Sequence, residues 1–140
     1  MKTKLLLCLA TAILAIHTPT VRAGEKSLES CMETMNKSYK AIKKQYADPA
    51  QKASTLELIA KLKSAAEASA DFKPEMAAEM DPEKRTKFLT DYHAAIQELV
   101  KQVESLEKAV QEGRTKDCEK WLTEINESKI SGHSEFMEKN

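Results

Sequence analysis

The sequence predicts an all-α protein, an antiparallel up-down-up-down four-helix bundle that follows a cleavable leader. Three observations lead to this prediction. Ala, Lys, Glu, Leu and Met dominate the 140 residues, whereas Gly (3) and Pro (4) are few, and this composition favours helices. Apolar residues recur at helical spacing in four segments. Residues typical of helix starts and stops separate those segments.

Residues 1–23 have the features of a secretory signal peptide. Two lysines form a short positive region, and the apolar run of residues 5–16 that follows is too short to span a bilayer. A polar stretch then ends in Ala23, whose small side chain suits signal peptidase. We therefore expect cleavage before Gly24 and an exported mature domain of residues 24–140.

The charge of the mature domain excludes some function classes. The leader contains Lys2, Lys4 and Arg22, so 19 of the 22 basic residues remain against 22 acidic ones. This mildly acidic balance argues against binding to nucleic acid, which requires a surplus of basic residues. After residues 5–16 there is no second apolar run that would hold the protein in a membrane. The length of the remaining chain suits one domain.

The first helix is predicted over about Ser27 to Tyr46, and the second begins at Asp48-Pro49 and runs to about Ala70. Aspartate supplies a cap for the second helix and proline suits its first turn. Spacings of three and four residues define an inward stripe on each helix. On the first helix the stripe contains Leu28, Met32, Met35, Tyr39, Ile42 and Tyr46, and on the second Leu56, Ile59, Leu62, Ala66 and Ala70.

The third helix is predicted to start at Asp81-Pro82 and to end at Glu112-Gly113, with the glycine in the left-handed position after the helix. Residues 71–80 before it show no sustained period and are expected to form an ordered loop. Thr115 is expected to cap the fourth helix. The third helix turns inward Phe88, Tyr92, Ala95, Ile96, Leu99, Val103, Leu106 and Val110, and the fourth buries Cys118, Leu122, Ile125, His133 and Phe136.

This topology brings two potential ligands together. Short connections predict antiparallel neighbours, so the start of the first helix lies level with the end of the fourth. Met32 lies about one turn into the first helix, and His133 lies within two turns of the end of the chain. We expect their side chains to face each other across one end of the bundle. A thioether and an imidazole placed in this way are a known pair of axial ligands for haem iron.

The motifs around these two residues resemble the cytochrome b562 family. The sequence LESCMETMN at residues 28–36 resembles the family's opening helix, and the likeness continues through Glu112-Gly113 to ISGH at residues 130–133. It covers essentially the whole mature chain. The resemblance implies a periplasmic electron-transfer protein, not an enzyme, that binds one b-type haem (iron protoporphyrin IX) through Met32 and His133. The family's bundle is itself a standard example of the predicted architecture.

The resemblance also implies three further haem-binding residues. Lys129 occupies the place of an arginine near the haem edge, and it keeps the charge but lacks the planar fork of a guanidinium. Tyr92 and Ile96 occupy the places of two phenylalanines that pack against the porphyrin. The run before His133 contains no cysteine, whereas covalent attachment requires Cys-x-x-Cys-His, so the haem is expected to be non-covalent.

Other functions fit the same sequence. The main alternative is a haem-free periplasmic helical bundle that acts as a binding or scaffold protein. A copper site formed by Met32, Met35 and His133 is a weaker alternative, because thioethers suit Cu(I) but Met35 lies one turn deeper. No pairing of a nucleophile with a base stands out. The redox partner in the periplasm is not encoded in any motif, and we expect a monomer or weak dimer.

The remaining cysteines and His93 have simpler interpretations. Cys118 lies 15 residues before His133, or about 22 Å along a helix, whereas Cys31 adjoins Met32. Because a disulfide requires Cα atoms within about 7 Å, we expect no bridge within the chain, although one between chains stays open. His93 lies off the inward stripe and is expected to be solvated.

Overall fold

The computed structural model describes residues 27–137, which form four α-helices: α1 (Leu28–Gln45), α2 (Lys52–Ser69), α3 (Pro82–Gln111) and α4 (Thr115–Phe136). Short 3-10 helices, Pro49–Gln51 and Glu75–Glu79, lie in two of the connections. Residues 27–137 contain no strand, so the all-α fold class is confirmed. The predicted signal peptide lies outside the described residues. Within the described part, no helix is both long and apolar enough to cross a bilayer.

Side-chain caps define the first two helix starts. At α1, the Ser27 hydroxyl accepts a hydrogen bond from the Ser30 N–H at 3.1 Å, and the Ser30 hydroxyl accepts one from the Ser27 N–H at 3.0 Å. This reciprocal pair satisfies two backbone donors that the helix leaves free. The Asp48 carboxylate accepts from the Ala50 N–H at 2.9 Å. It therefore caps the 3-10 turn that leads into α2, close to the predicted position.

The connection between α3 and α4 contains one confirmed prediction and one that was wrong. Gly113 has φ of +69°, and its N–H donates to the Val110 carbonyl at 3.2 Å while Arg114 donates to Ala109 at 2.9 Å, which is a Schellman motif. Thr115 does not cap α4, because it is the first helical residue and Arg114 occupies the cap position. The motif ends at Arg114, so the chain enters the next helix one residue earlier than predicted.

The four helices form three closely packed neighbouring pairs: α1 with α2, α2 with α3, and α3 with α4. The pair that would close the bundle, α1 with α4, is not among them. The core lies toward the end of the bundle where α1 and α3 finish. Its buried members are Ile42, Ile59, Leu62, Val103, Leu106, Ala109, Val110, Cys118, Leu122 and Ile125. The opposite end, where α1 begins and α4 finishes, is more open.

Candidate functional site

Two hydrogen bonds connect α1 to α4 and define how the helices are aligned. The Tyr39 hydroxyl donates to the Leu122 carbonyl at 3.0 Å. Nearer the open end, the Lys129 ammonium donates to Asn36 Oδ1 at 2.9 Å. Because the helices are antiparallel, the residue one turn before Asn36 on α1 lies level with the residue one turn after Lys129 on α4. Those two positions are four residues away in each helix, at Met32 and His133.

A cleft between α1 and α4 contains this level. Its cavity volume is about 150 Å³, which is smaller than the roughly 300–1,000 Å³ typical of small-molecule and cofactor sites. Residues from α2 and α3 form its floor, and most of the lining is apolar. The lining residues are Met32, Met35, Asn36, Tyr39, Leu62, Tyr92, Leu99, Ile125, Ser128, Lys129, Gly132, His133, Phe136 and Met137.

The structure brings Met32 and His133 to this cleft, as the sequence predicted, but the burial of His133 differs. Met32 is half-buried, whereas His133 is exposed. The prediction that α4 buries His133 was therefore wrong. Since α1 and α4 are not closely packed at this level, the imidazole lies at the mouth of the cleft and not in a packed core.

Tyr92 forms part of the cleft floor and is held from two sides. Its hydroxyl donates to the Ser69 carbonyl at the end of α2 at 2.8 Å. Its ring meets the ring of Phe136 edge to face, with centroids 5.4 Å apart. Burial raises the pKa of the Tyr92 phenol above its ordinary value, so the group is neutral at physiological pH. A neutral ring fixed in this way offers an apolar surface to a bound group.

Ile96 is half-buried but is not among the described residues that line the cleft. At 3.6 residues per turn, Ile96 is rotated about 40° from Tyr92 toward His93. That side of α3 meets the end of α2, since His93 Nε2 lies 3.2 Å from the Ala70 carbonyl oxygen. Leu99 is rotated about 20° the other way and lines the cleft in its place. His93 is exposed, as expected.

Sequence reasoning missed four lining residues: Asn36, Ser128, Gly132 and Met137. Asn36 and Ser128 are polar, so a search for an apolar stripe does not find them. Both make hydrogen bonds that connect helices around the cleft. The Ser128 hydroxyl donates to Oε1 of the buried Gln102 at 2.9 Å and so ties α4 to α3. Met137 lies beyond the last predicted core position. Its spacing of four residues from His133 is the signal that could have found it.

Lys129 carries the only Lys, Arg, Asp or Glu charge among the described residues that line the cleft. It is exposed, and its bond to Asn36 keeps the ammonium beside the opening. An ammonium in this place attracts an anionic group at the cleft edge. The resemblance implied a place for Lys129 near the haem edge, and in the structure Lys129 lines the same cleft as Met32, His133 and Tyr92.

The residues present fit a haem. Met32 and His133 offer one ligand from each wall at a single level, which matches the two axial positions of haem iron. Tyr92, Leu99 and other apolar side chains offer surfaces for the porphyrin, and Lys129 offers a cation to its carboxylates. The fold and the site together are those of a helical bundle with a cleft whose side chains suit a haem.

Comparison with known proteins agrees with this interpretation. A family model for cytochrome b562 matches residues 27–137, which is most of the 140-residue chain. The chain therefore belongs to the cytochrome b562 family, whose members are electron-carrying cytochromes with b-type haem. No curated protein and no solved structure matches the chain.

Proposed function

We propose that this chain is a periplasmic electron-transfer protein that binds one non-covalent b-type haem, with Met32 and His133 as its axial ligands. One observation supports the ligand pair above all: the register of α1 against α4, marked by the Lys129–Asn36 bond, brings both side chains to one level of an apolar cleft. Membership of the cytochrome b562 family supports the haem and the electron transfer. Export is supported by the predicted leader, residues 1–23, and the periplasmic location by membership of the family.

Different site residues would hold the haem, exclude water from it and leave one side open to a redox partner. Haem iron, when bound, supplies a one-electron couple whose reduced state is favoured by methionine ligation. Met32 and His133 would both hold the iron, so no ligand position would be left for a substrate, which suits electron transfer without bond formation. Tyr92 and Leu99 exclude water from the interior of the cleft. The exposed position of His133 places the open side of the cleft where a redox partner can approach.

Lys129 positions the cofactor and takes no part in the electron step. Its ammonium now bonds to Asn36 across the cleft. An ammonium has three N–H groups to share, so Lys129 would also donate to a haem carboxylate at the cleft edge. Lys129 would in this way orient the haem in the cleft.

Titration of the haem-free mature chain with haem tests the proposal. We expect one equivalent to bind and the reduced protein to give a sharp low-spin spectrum. Met32→Ala and His133→Ala each remove an axial ligand, so each is expected to change that spectrum to a high-spin or mixed form. No saturable uptake, or wild-type spectra from both variants, would contradict the proposal and favour the haem-free scaffold.

Matched controls use the same residue types away from the cleft. Met80 is half-buried in the connection before α3, and His93 is exposed on α3. Neither lines the cleft. Met80→Ala and His93→Ala are therefore expected to keep the wild-type spectrum, which separates loss of an axial ligand from a general effect of substitution.

A further inference from the structure

The cleft contains more potential metal ligands than two haem-iron positions require. Met35 and Met137 line it together with Met32 and His133. The proposed haem ligation uses only one thioether and one imidazole. The four side chains therefore place three thioethers and one imidazole around one cleft, two of them on α1 and two at the end of α4 or just past it.

Each pair has the spacing of neighbours on one helix face. Met32 and Met35 are three residues apart on α1, and His133 and Met137 are four apart at the end of α4. Side chains at these spacings lie about 5–6 Å apart at their Cβ atoms. α4 ends at Phe136, and Met137 follows it as the C-cap residue, whose N–H donates to the His133 carbonyl at 3.0 Å. Two side chains at this separation are close enough to share one metal ion.

All four side chains reach the same cleft. Each Cα–Cβ bond of a helix is tilted toward the N-terminus of that helix, so Met35 on α1 leans toward the level of His133 on the antiparallel α4. Met137, just past the end of α4, lines the cleft on the other side of that level. Methionine has three rotatable side-chain bonds and adapts to the remaining distance.

The ligand set selects one kind of ion. Thioethers are soft, uncharged ligands that suit Cu(I), whereas Zn²⁺ prefers thiolate, imidazole and carboxylate. We propose that the haem-free protein binds one Cu(I) through His133 and the thioethers of Met32, Met35 and Met137. Copper and haem then compete for the same cleft. The copper site stands without the haem proposal, and only the competition rests on it.

Competition with a chromophoric Cu(I) chelator tests the site. The haem-free mature chain, kept anaerobic with ascorbate, is expected to withdraw one equivalent of Cu(I) from bicinchoninate. X-ray absorption is expected to show sulfur and nitrogen ligands. Met35→Leu and Met137→Leu keep the apolar volume but remove a ligand. Each is expected to weaken Cu(I) binding by about tenfold or more, because mutation of a residue that only hydrogen-bonds to a metal ligand already weakens metal binding by about that factor.

The control is Met80→Leu, which changes a methionine outside the cleft and is expected to keep wild-type Cu(I) affinity. Circular dichroism of each variant reports helix content, so a folding defect is recognised separately. Failure of the wild-type chain to withdraw Cu(I) would overturn the inference. Equal affinities in the Met35, Met137 and Met80 variants would overturn it as well.

Two measurements distinguish this inference from the haem proposal. Haem uptake without Cu(I) uptake would overturn the copper site alone, and Cu(I) uptake without haem uptake would overturn the haem function alone. If both bind, haem added to the Cu(I)-loaded chain is expected to release copper to the chelator. Simultaneous retention of both would contradict the shared cleft.

Discussion

At the scale of single residues, the contribution of the Lys129 charge to haem binding depends on how exposed its ammonium is. Its ammonium is exposed and bonded to Asn36, and exposed ion pairs contribute roughly 0.2–1 kcal/mol. We therefore expect Lys129→Ala to raise the haem dissociation constant by up to about fivefold. Lys129→Arg is expected to lower it, because a guanidinium binds a carboxylate through two parallel hydrogen bonds.

Haem titration of the two Lys129 variants measures these changes. Lys120 is a control on the same helix, since it lies over the Trp121 ring, 4.6 Å from the centroid, and does not line the cleft. Lys120→Ala is expected to leave haem affinity unchanged. Equal affinities for Lys129→Ala and Lys120→Ala would remove Lys129 from the site.

Tyr92 links the cleft floor to the pH dependence of stability. Burial raises the pKa of its phenol in the folded chain, while the unfolded value is about 10. The stabilising contribution of the neutral phenol is therefore fully present below about pH 10 and is lost as pH rises through the folded pKa. Tyr92→Phe removes this titration and is expected to flatten the pH dependence of the unfolding free energy above that pH.

The same Tyr92 variant also loses the hydrogen bond to Ser69. At neutral pH we expect Tyr92→Phe to be about 1 kcal/mol less stable, because the Ser69 carbonyl loses the hydroxyl donor and keeps only the Phe72 N–H at 3.2 Å. Urea unfolding of both proteins at neutral and alkaline pH measures both effects. Parallel curves across the whole pH range would show that the burial of the phenol does not contribute in this way.

Most site residues could be predicted from sequence, but their exposure could not. Met32 and His133 were found because helical spacing shows which residues share a face. The same spacing cannot show whether that face is covered, so His133 was wrongly expected to be buried. The choice between Ile96 and Leu99 depends on a rotation of about 20–40° around α3, which is smaller than the width of an apolar stripe.

At the scale of helices, local chemistry predicts most boundaries. The first helix was predicted over Ser27 to Tyr46 and is observed over Leu28–Gln45. The 3-10 helix at Glu75–Glu79 could not be predicted, because three-residue turns leave no apolar period in so short a segment. Tertiary contacts hold it instead, since the Arg85 side chain donates to the Ala77 and Met80 carbonyls at 2.7 and 2.8 Å.

Replacing each of the two described glycines with alanine is expected to change the unfolding free energy in opposite directions. Gly113 has φ of +69°, and an L residue in that conformation costs about 1–2 kcal/mol, so Gly113→Ala is expected to destabilise the protein by that amount. Gly132 lies inside α4, where an added Cβ meets no atom within 4 Å. Gly132→Ala is expected to stabilise the haem-free chain by roughly 0.5–1 kcal/mol. Urea unfolding measures both, and changes of the same sign would contradict this account.

At the scale of the whole molecule, the bundle separates stability from function. Three closely packed helix pairs build a core toward one end, while the α1–α4 seam at the other end leaves a cleft. Sequence could predict the four helices and the facing ends, because connection lengths determine the topology. It could not predict the open seam, because a closed seam and a cofactor cleft both require an apolar stripe on each helix.

The reduced-minus-oxidised spectrum of the protein, isolated from the periplasmic fraction of cells that express the full 140-residue chain, tests the central claim most directly. It reports export, haem occupancy and axial ligation together. We predict the sharp bands of a low-spin b-type haem, which are lost or broadened in Met32→Ala and His133→Ala isolated in the same way. A periplasmic protein without haem bands, or one whose low-spin bands survive in both variants, would contradict the account.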